Sequence, residues 1–228
     1  MNVAIIVAAG SGTRFGSKIP KQFLEIGGKP LVLHTLERFE KCAAVDEIVL
    51  ILAANEIENF QTALGKFNLK KLKQIVPGGA TRAESVRNGL NAVDGNAVET
   101  IAVHDGARPF VSSEEISQTI EKAREFGAAC LVASVTDTIK QTANGKIVGT
   151  IDRQNLRRAL TPQTFRFEIL QRAFASENFD AAATDECFLV EKLGCEIASV
   201  EGSAKNIKIT TREDFAVAEI LLKTDEYV

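Results

Sequence analysis

Four short stretches of the chain carry residue types that suit the binding of anions. Gly10, Gly12 and Gly16 lie in a loop that also holds Arg14, Lys18 and Lys21. Glycines let backbone N–H groups approach an oxyanion with no Cβ in the way. Pro77-Gly78-Gly79-Ala80-Thr81-Arg82 makes a second glycine turn, with Ser85 one helical turn further on. His104-Asp105-Gly106-Ala107-Arg108-Pro109 sets a carboxylate and a guanidinium three residues apart, and Lys208 follows Asn206-Ile207. What these groups share is the capacity to neutralise crowded negative charge, as around a nucleoside triphosphate. Proton transfer is poorly served, because His34 and His104 are the only histidines. His34 reads as a helix-face residue and His104 as one that orients the Asp105 loop. Plain alternatives stand beside each stretch: Arg82 facing solvent, Asp105 and Arg108 pairing with each other, Lys208 guarding a strand edge.

The first loop admits three ligand readings. A Walker A loop ends in Gly-Lys-Ser/Thr, which Gly12-Thr13-Arg14 does not supply. A dinucleotide fingerprint needs GxGxxG, and the spacing Gly10, Gly12, Gly16 is one residue too long. A long loop wrapping a nucleoside triphosphate, with Arg14 and Lys21 over the phosphates, fits both the glycines and the cations. A glycine-rich loop with solvated cations is the remaining alternative.

These stretches need elements to position them. Residues 3–7, 47–52, 73–76, 100–103 and 128–135 read as strands, mostly apolar on both faces. Helical patterns cover 30–42, 57–64, 83–93 and, from the capping box Ser112-x-x-Glu115, 113–126. The alternation predicts an α/β fold, a doubly wound and mostly parallel Rossmann-like sheet, with ligands at the carboxyl ends of its strands. The regularity breaks at Thr136. Residues 138–142 and 146–151 flank Asn144-Gly145 and read as a β-hairpin. It has little apolar surface of its own, so a partner subunit is the expected support. Helices near 167–175 and 184–193, strands at 196–200 and 206–209, and a last helix from Thr211 capped by Thr210-x-x-Glu213 complete the expectation. With no repeat or linker, residues 1–228 read as one domain, with an arm at about 136–153.

Bulk composition removes several classes of function. With 228 residues and a net charge of -3 there is no global field for a polyanion. Trp is absent and Tyr occurs once, so stacking platforms for nucleic acid are not expected. Cys42, Cys130, Cys187 and Cys195 have no CxxC spacing, and three of them fall in apolar segments, as small buried hydrophobes do. No apolar run approaches the ~20 residues of a membrane helix and no leader pattern precedes the first strand, so a cytoplasmic protein is expected.

Taken in order, the motifs resemble the 2-C-methyl-D-erythritol 4-phosphate cytidylyltransferases. The resemblance rests on AAGSGTRFG at 8–16, PKQF at 20–23, GGATRAESV at 78–86, HDGARP at 104–109 and TDTIK at 136–140. DR at 152–153, ALTPQTF at 159–165, TDE at 184–186 and NIKIT at 206–210 complete the set. It implies transfer of a cytidylyl group from CTP to a sugar-alcohol phosphate with release of pyrophosphate, by a nucleotidyltransferase acting as a homodimer whose hairpin arms reach into the partner's site. It further implies that Arg14 and Lys21 stabilise the transition state, and that Arg153 and Lys208 position the methylerythritol phosphate. Ala8, Ala9, Gly10, Gly79, Ala80, Ser85 and Gly106 would hold cytidine. The position after Gly79 is often polar in such proteins, so contact at Ala80 must come from backbone. Asp105, Arg108, Thr138, Thr161 and Thr184 would line the polyol side. Mg²⁺ would bridge triphosphate oxygens, with Asp105 as the candidate protein ligand. A dianionic phosphate monoester needs no general base to attack, which agrees with the scarcity of histidine. Ribitol 5-phosphate cytidylyltransferase shares the glycine loop, PKQF and TPQ, and a non-catalytic nucleotide-binding module is the alternative from another class.

Overall fold

A computed structural model of the chain describes residues 1–10, 20–64, 67–175 and 183–225. Arg14 and Lys18 lie outside the described residues. The continuous apolar runs form the centre of a sheet. β1 (Asn2–Val7), β4 (Glu47–Leu52), β6 (Thr100–Asp105) and β7 (Ala128–Ser134) are almost wholly buried. With β5 (Leu72–Pro77), β10 (Arg157–Arg166) and β11 (Ala198–Glu201) they make a seven-stranded sheet in the order β11-β7-β10-β6-β1-β4-β5. β6, β1, β4 and β5 run parallel, as do β11 and β7, while β10 is antiparallel to both its neighbours. In this register Val7 pairs with Ile51 on one side and Asp105 on the other, so the loops after β1 and β6 leave the sheet side by side.

Side chains alternate across the sheet. Ala4, Ile6 and Leu50 pack with Leu33, Leu36 and Phe39 of α1 (Leu31–Lys41) and with Ile116 and Ile120 of α4 (Ser113–Phe126). Ile5, Val49 and Val103 pack with Val86 and Leu90 of α3 (Arg82–Asn91), Leu170 of α5 (Phe167–Ala175) and Leu189 of α6 (Glu186–Glu191). Helices therefore cover both faces, as the buried strands demand. α2 (Ile57–Leu64) follows β4, and α7 (Arg212–Asp225) ends the described chain.

The structure departs from the sequence reading in four places. β10 was not expected, because Pro162 interrupts its pattern. The ladder to β7 jumps from Ala159↔Val132 to Gln163↔Cys130, so residues 160–162 have no partner there and the proline's missing N–H costs no ladder bond. Residues 206–209, expected as a strand, are irregular: Ile209 N–H donates to Ala107 O at 2.9 Å and Asn206 N–H to Ser203 O at 3.1 Å, off any ladder. The cap of α7 lies one residue later than expected. Thr211 Oγ1 accepts from Asp214 N–H at 3.2 Å, and the Asp214 carboxylate accepts from Thr211 N–H at 2.8 Å. A small hairpin of β2 (Glu25–Ile26) and β3 (Lys29–Pro30) was also missed; Gly27 and Gly28 turn it at φ 59° and 75°.

The expected hairpin is present. β8 (Ile139–Ala143) and β9 (Lys146–Ile151) pair only with each other, and Asn144 and Gly145 take positive φ as a tight primed turn requires. Ile147, Val148 and Ile151 on β9 are exposed.

Candidate functional site

The carboxyl end of β1 forms the floor of a cavity of about 430 Å³. Three backbone bonds knit the floor together, each 2.8 Å: Ala8 N–H to Ile51 O, Gly106 N–H to Val7 O, and Gly78 N–H to Leu52 O. The packing leaves no room for larger residues at two of these points. A Cβ on Gly78 would stand 2.3 Å from that of Ala9, and one on Gly106 would stand 2.8 Å from that of Ala8. Gln22 anchors Gly10 by donating Nε2–H to its carbonyl at 3.2 Å. Beyond Gly78, the Ser85 hydroxyl accepts from Gly79 N–H at 3.0 Å and donates to Thr81 O at 2.9 Å. Ser85 is thus spent on shaping the Gly79-Ala80 turn. Thr81 and Glu84 cap α3 reciprocally beside it.

Cations crowd the opposite wall. Asp105 Oδ1 accepts from Arg82 Nε at 3.1 Å, while its Oδ2 meets Arg108 Nε at 3.3 Å and Lys208 Nζ at 2.9 Å. Burial alone would raise the Asp105 pKa. The three cations outweigh it and hold the carboxyl well below the usual carboxylate range. Arg108 also donates Nη1–H to Asn206 O at 2.8 Å. Lys21, on a short 3₁₀ turn (Lys21–Phe23), donates to Ile209 O at 2.7 Å. That bond brings its ammonium to the segment that carries Lys208. Ala8, Ala9, Gly10, Lys21, Gly79, Ala80, Ser85, Asp105 and Lys208, all singled out from sequence, line this one cavity.

Two polar links lie behind the wall; the first gives His104 the loop-holding place expected of it, and the second was not foreseen. His104 is fully buried. Its Nε2 lies 3.0 Å from Arg108 O, which only accepts, so Nε2 carries the proton and Nδ1 accepts from Thr161 Oγ1 at 3.0 Å. Thr161 Oγ1 in turn accepts from Asp105 N–H at 3.1 Å. Thr161 therefore sits beneath the site and fixes the backbone at Asp105. Gln163, also buried, is the second link. Its Oε1 accepts from Glu186 N–H at 3.1 Å and Cys187 N–H at 3.0 Å, and its Nε2 donates to Asp185 at 3.0 Å. Arg82 joins this layer to the cavity by donating Nη1–H to Glu186 Oε1 at 2.5 Å. Arg82, Gln163, Glu186 and Gln22 were missing from the sequence-level site. Each lies inside a quoted motif, but sequence alone does not show what a polar side chain within a motif will face.

The neutral His104 makes a measurable prediction. Burial first, with the Arg108 and Arg82 charges adding to it, lowers its pKa from 6.5 to about 4. As pH falls through that window the unfolded chain takes up the proton first. Stability is therefore full above pH 6.5 and declines toward pH 4, by about 3 kcal/mol from this group. Urea unfolding from pH 4 to 7 should show the slope in the wild type and a shallower one in His104→Gln. Equal slopes in the two proteins would remove the histidine from the account.

The cavity does not gather every candidate. Thr138 and Arg153 are exposed on or beside the arm, and neither lines it. Thr184 is exposed just before α6. Arg108 and Gly106 stand behind the lining residues, and Arg14 is outside the described residues. As a metal ligand Asp105 fits poorly. Both its oxygens are engaged by cations, and a divalent ion would have to displace at least one of them. Among the described residues no three His, Cys, Asp or Glu groups cluster to hold a metal, and no helix is long and apolar enough to cross a membrane.

A mostly parallel sheet with glycine turns and lysines gathered near the carboxyl end of its first strand suits the nucleotidyltransferase class that the motifs resemble. Comparison with known proteins narrows this. The sequence model of the 2-C-methyl-D-erythritol 4-phosphate cytidylyltransferases matches residues 2–224. A protein of that name from Bacillus licheniformis is 41% identical over 228 residues, covering 99% of this chain and 98% of its own. One from Alkaliphilus metalliredigens is 42% identical over 221 residues, covering 96% and 91%. The crystal structure of a 4-diphosphocytidyl-2C-methyl-D-erythritol synthase from Anaerococcus prevotii superposes with a TM-score of 0.83 at 29% identity, over 97% of this chain and 96% of that one. The chain belongs to the 2-C-methyl-D-erythritol 4-phosphate cytidylyltransferase family.

Proposed function

We propose that this chain transfers a cytidylyl group from CTP to 2-C-methyl-D-erythritol 4-phosphate, giving 4-diphosphocytidyl-2-C-methyl-D-erythritol and pyrophosphate. The observation that carries the reading is the set of cations at this end of the sheet: Lys21, Lys208 and Arg82 line the cavity, Arg108 backs Asp105 behind it, and among the described lining residues there is no histidine and no carboxylate free of a cation. A phosphate monoester is mostly dianionic at neutral pH. One of its oxygens attacks the α-phosphorus of CTP, the bond from that phosphorus to the β-phosphate bridge breaks, and pyrophosphate leaves with the electron pair. No proton has to move. The chain's task is to hold two anions together and offset the charge that builds between them.

In this reading Lys21, with Arg14, meets the charge on the α-phosphate. Lys208 positions the attacking phosphate, with Arg153 of a second subunit. Ala8, Ala9, Gly10, Gly79, Ala80 and Gly106 cradle cytidine through their backbone, with Ser85 holding the turn. Asp105, Arg108, Thr138 and Thr184 face the polyol, and Thr161 braces Asp105. Mg²⁺ would enter with CTP, as part of the substrate rather than as a resident ion on Asp105, and would help neutralise the triphosphate. The chain acts as one domain over residues 1–228, in a cytoplasmic homodimer joined through the arms at about 136–153.

Pyrophosphate release measured with CTP, UTP or ATP against each polyol phosphate tests the function. Cytosine presents an amine where uracil presents a carbonyl, so acceptors aimed at that amine would face another acceptor with UTP. CTP with methylerythritol phosphate should give the highest kcat/KM. A preference for ribitol 5-phosphate would change the acceptor, and CTP binding with no turnover on any acceptor would make the protein a binding module.

A further inference from the structure

Arg82 and Glu186 are joined in a way that charge neutralisation alone does not explain. Arg82 opens α3 and lines the cavity beside Gly79, Ala80 and Thr81. Its guanidinium is gripped twice, through Nε by Asp105 at 3.1 Å and through Nη1 by Glu186 at 2.5 Å. The two carboxylates come from two different elements, β6 and α6. Nη2 is the one nitrogen left without a protein partner among the described residues. Glu186 is buried, with its side chain 1% exposed, and its Oε2 has no hydrogen-bond partner among the described residues. An unsatisfied buried carboxylate oxygen is costly, and among the described residues the side-chain hydrogen bond that Glu186 makes is with Arg82.

A guanidinium shared by two carboxylates is a poor anchor for another dianion, because a phosphate placed there would meet both negative groups. It is a well-placed donor to a hydroxyl. Asp105, alongside, keeps its own acceptor character, since its pKa is held well below the usual range. A donor and an acceptor side by side match a hydroxyl, which gives one hydrogen bond and takes others. We propose that Arg82 reads a hydroxyl of the polyol through Nη2, and that Glu186 is the positioning residue that holds Arg82 in that pose. The phosphate of the same substrate is left to Lys208. This rests on the acceptor being a polyol phosphate, as proposed above. It adds a second layer of selectivity, for a hydroxylated chain over a bare alkyl phosphate. It also gives the TDE stretch a purpose beyond Thr184: Gln163 fixes the start of α6, and α6 delivers Glu186 to Arg82.

The test compares wild type, Arg82→Lys and Glu186→Gln. Lysine keeps the charge but cannot span two carboxylates and still present a third nitrogen. Glutamine keeps the size of Glu186 and removes its charge. For each protein KM is measured for methylerythritol phosphate and for CTP. The inhibition constant of butyl phosphate, which has the phosphate but no hydroxyls, is measured against the polyol phosphate. In Arg82→Lys the KM for the polyol phosphate should rise about tenfold to a hundredfold, the loss of one charge-assisted hydrogen bond. KM for CTP and the butyl phosphate constant should stay within about threefold, because neither ligand uses that bond. Glu186→Gln should show the same split at smaller amplitude with an unchanged Tm, and it stands as the test alone if Arg82→Lys does not fold. A butyl phosphate constant that worsens in step with the polyol KM would make Arg82 a phosphate anchor and overturn the proposal. So would a parallel rise in KM for CTP, or no change in a folded variant. A wild type that turns over no polyol phosphate would instead overturn the parent function, a result visible before any variant is made.

Discussion

Replacing Lys21 with alanine should lower kcat by about 10²–10³ while leaving the dissociation constant for CTP within about tenfold of wild type. Lys21 stands at the mouth of β1, and its ammonium is held by the Ile209 carbonyl at 2.7 Å. That bond aims the charge before substrate arrives, so no reorganisation is needed when negative charge develops on the α-phosphate. A group placed this way stabilises the transition state more than the ground state, and its loss falls on kcat. The loss corresponds to about 3–4 kcal/mol of barrier. Lys21 also touches the segment carrying Lys208, so a structural explanation has to be separated from a catalytic one. Lys21→Arg does this. It keeps the charge and a donor, and should retain more activity than Lys21→Ala at equal Tm. CTP affinity falling in step with kcat/KM while kcat stays at the wild-type level would make Lys21 a ground-state binder and end its catalytic assignment.

How far the site could be read from sequence depended on whether its signal was local. β1, β4, β6 and α4 were legible because continuous apolar runs and the Ser112-x-x-Glu115 box are written in neighbouring residues. The glycine turns were legible for the same reason, and at Gly78 and Gly106 they fall where a neighbouring alanine Cβ leaves no room for a side chain. β10 was hidden, since Pro162 argues against a central strand and only the break in its ladder shows why one is tolerated there. Residues 206–209 carry strand-like apolar positions, yet their partners are Ala107 and Ser203 rather than a neighbouring strand. Arg82 stood in an anion-binding stretch with a solvent-facing alternative, and sequence could not choose because both its carboxylate partners are remote in sequence. Thr161 could be attached to the site but not placed: it lies under Asp105, bonded to His104, and its hydroxyl is already spent. Sequence motifs single out candidate residues here, and long-range pairing decides what each of them faces.

The arm carries the second large effect. β8 and β9 pair with nothing but each other, and Ile147, Val148 and Ile151 are left exposed on them. An isolated two-stranded hairpin is marginal in water, so a surface that covers these residues has to come from elsewhere, in our reading a second copy of the chain. Arg153 closes the base of the arm by donating to Thr136 O, and it stands outside the cavity that holds Lys21. If each arm serves the partner's site, every complete site takes Lys21 from one subunit and Arg153 from the other. Arg153→Ala and Lys21→Ala homodimers should both be nearly inactive. Mixed and allowed to exchange, they form heterodimers in which one site collects both lesions and the other has none. Activity should return to about half of wild type per heterodimer, hence about a quarter in an equal mixture at equilibrium, if sites act independently. Exchange is checked separately, by mass spectrometry of differently tagged subunits. A mixture that exchanges fully and stays as inactive as its parents would put Arg153 in its own subunit's site, leaving the exposed face of β9 without the partner proposed for it.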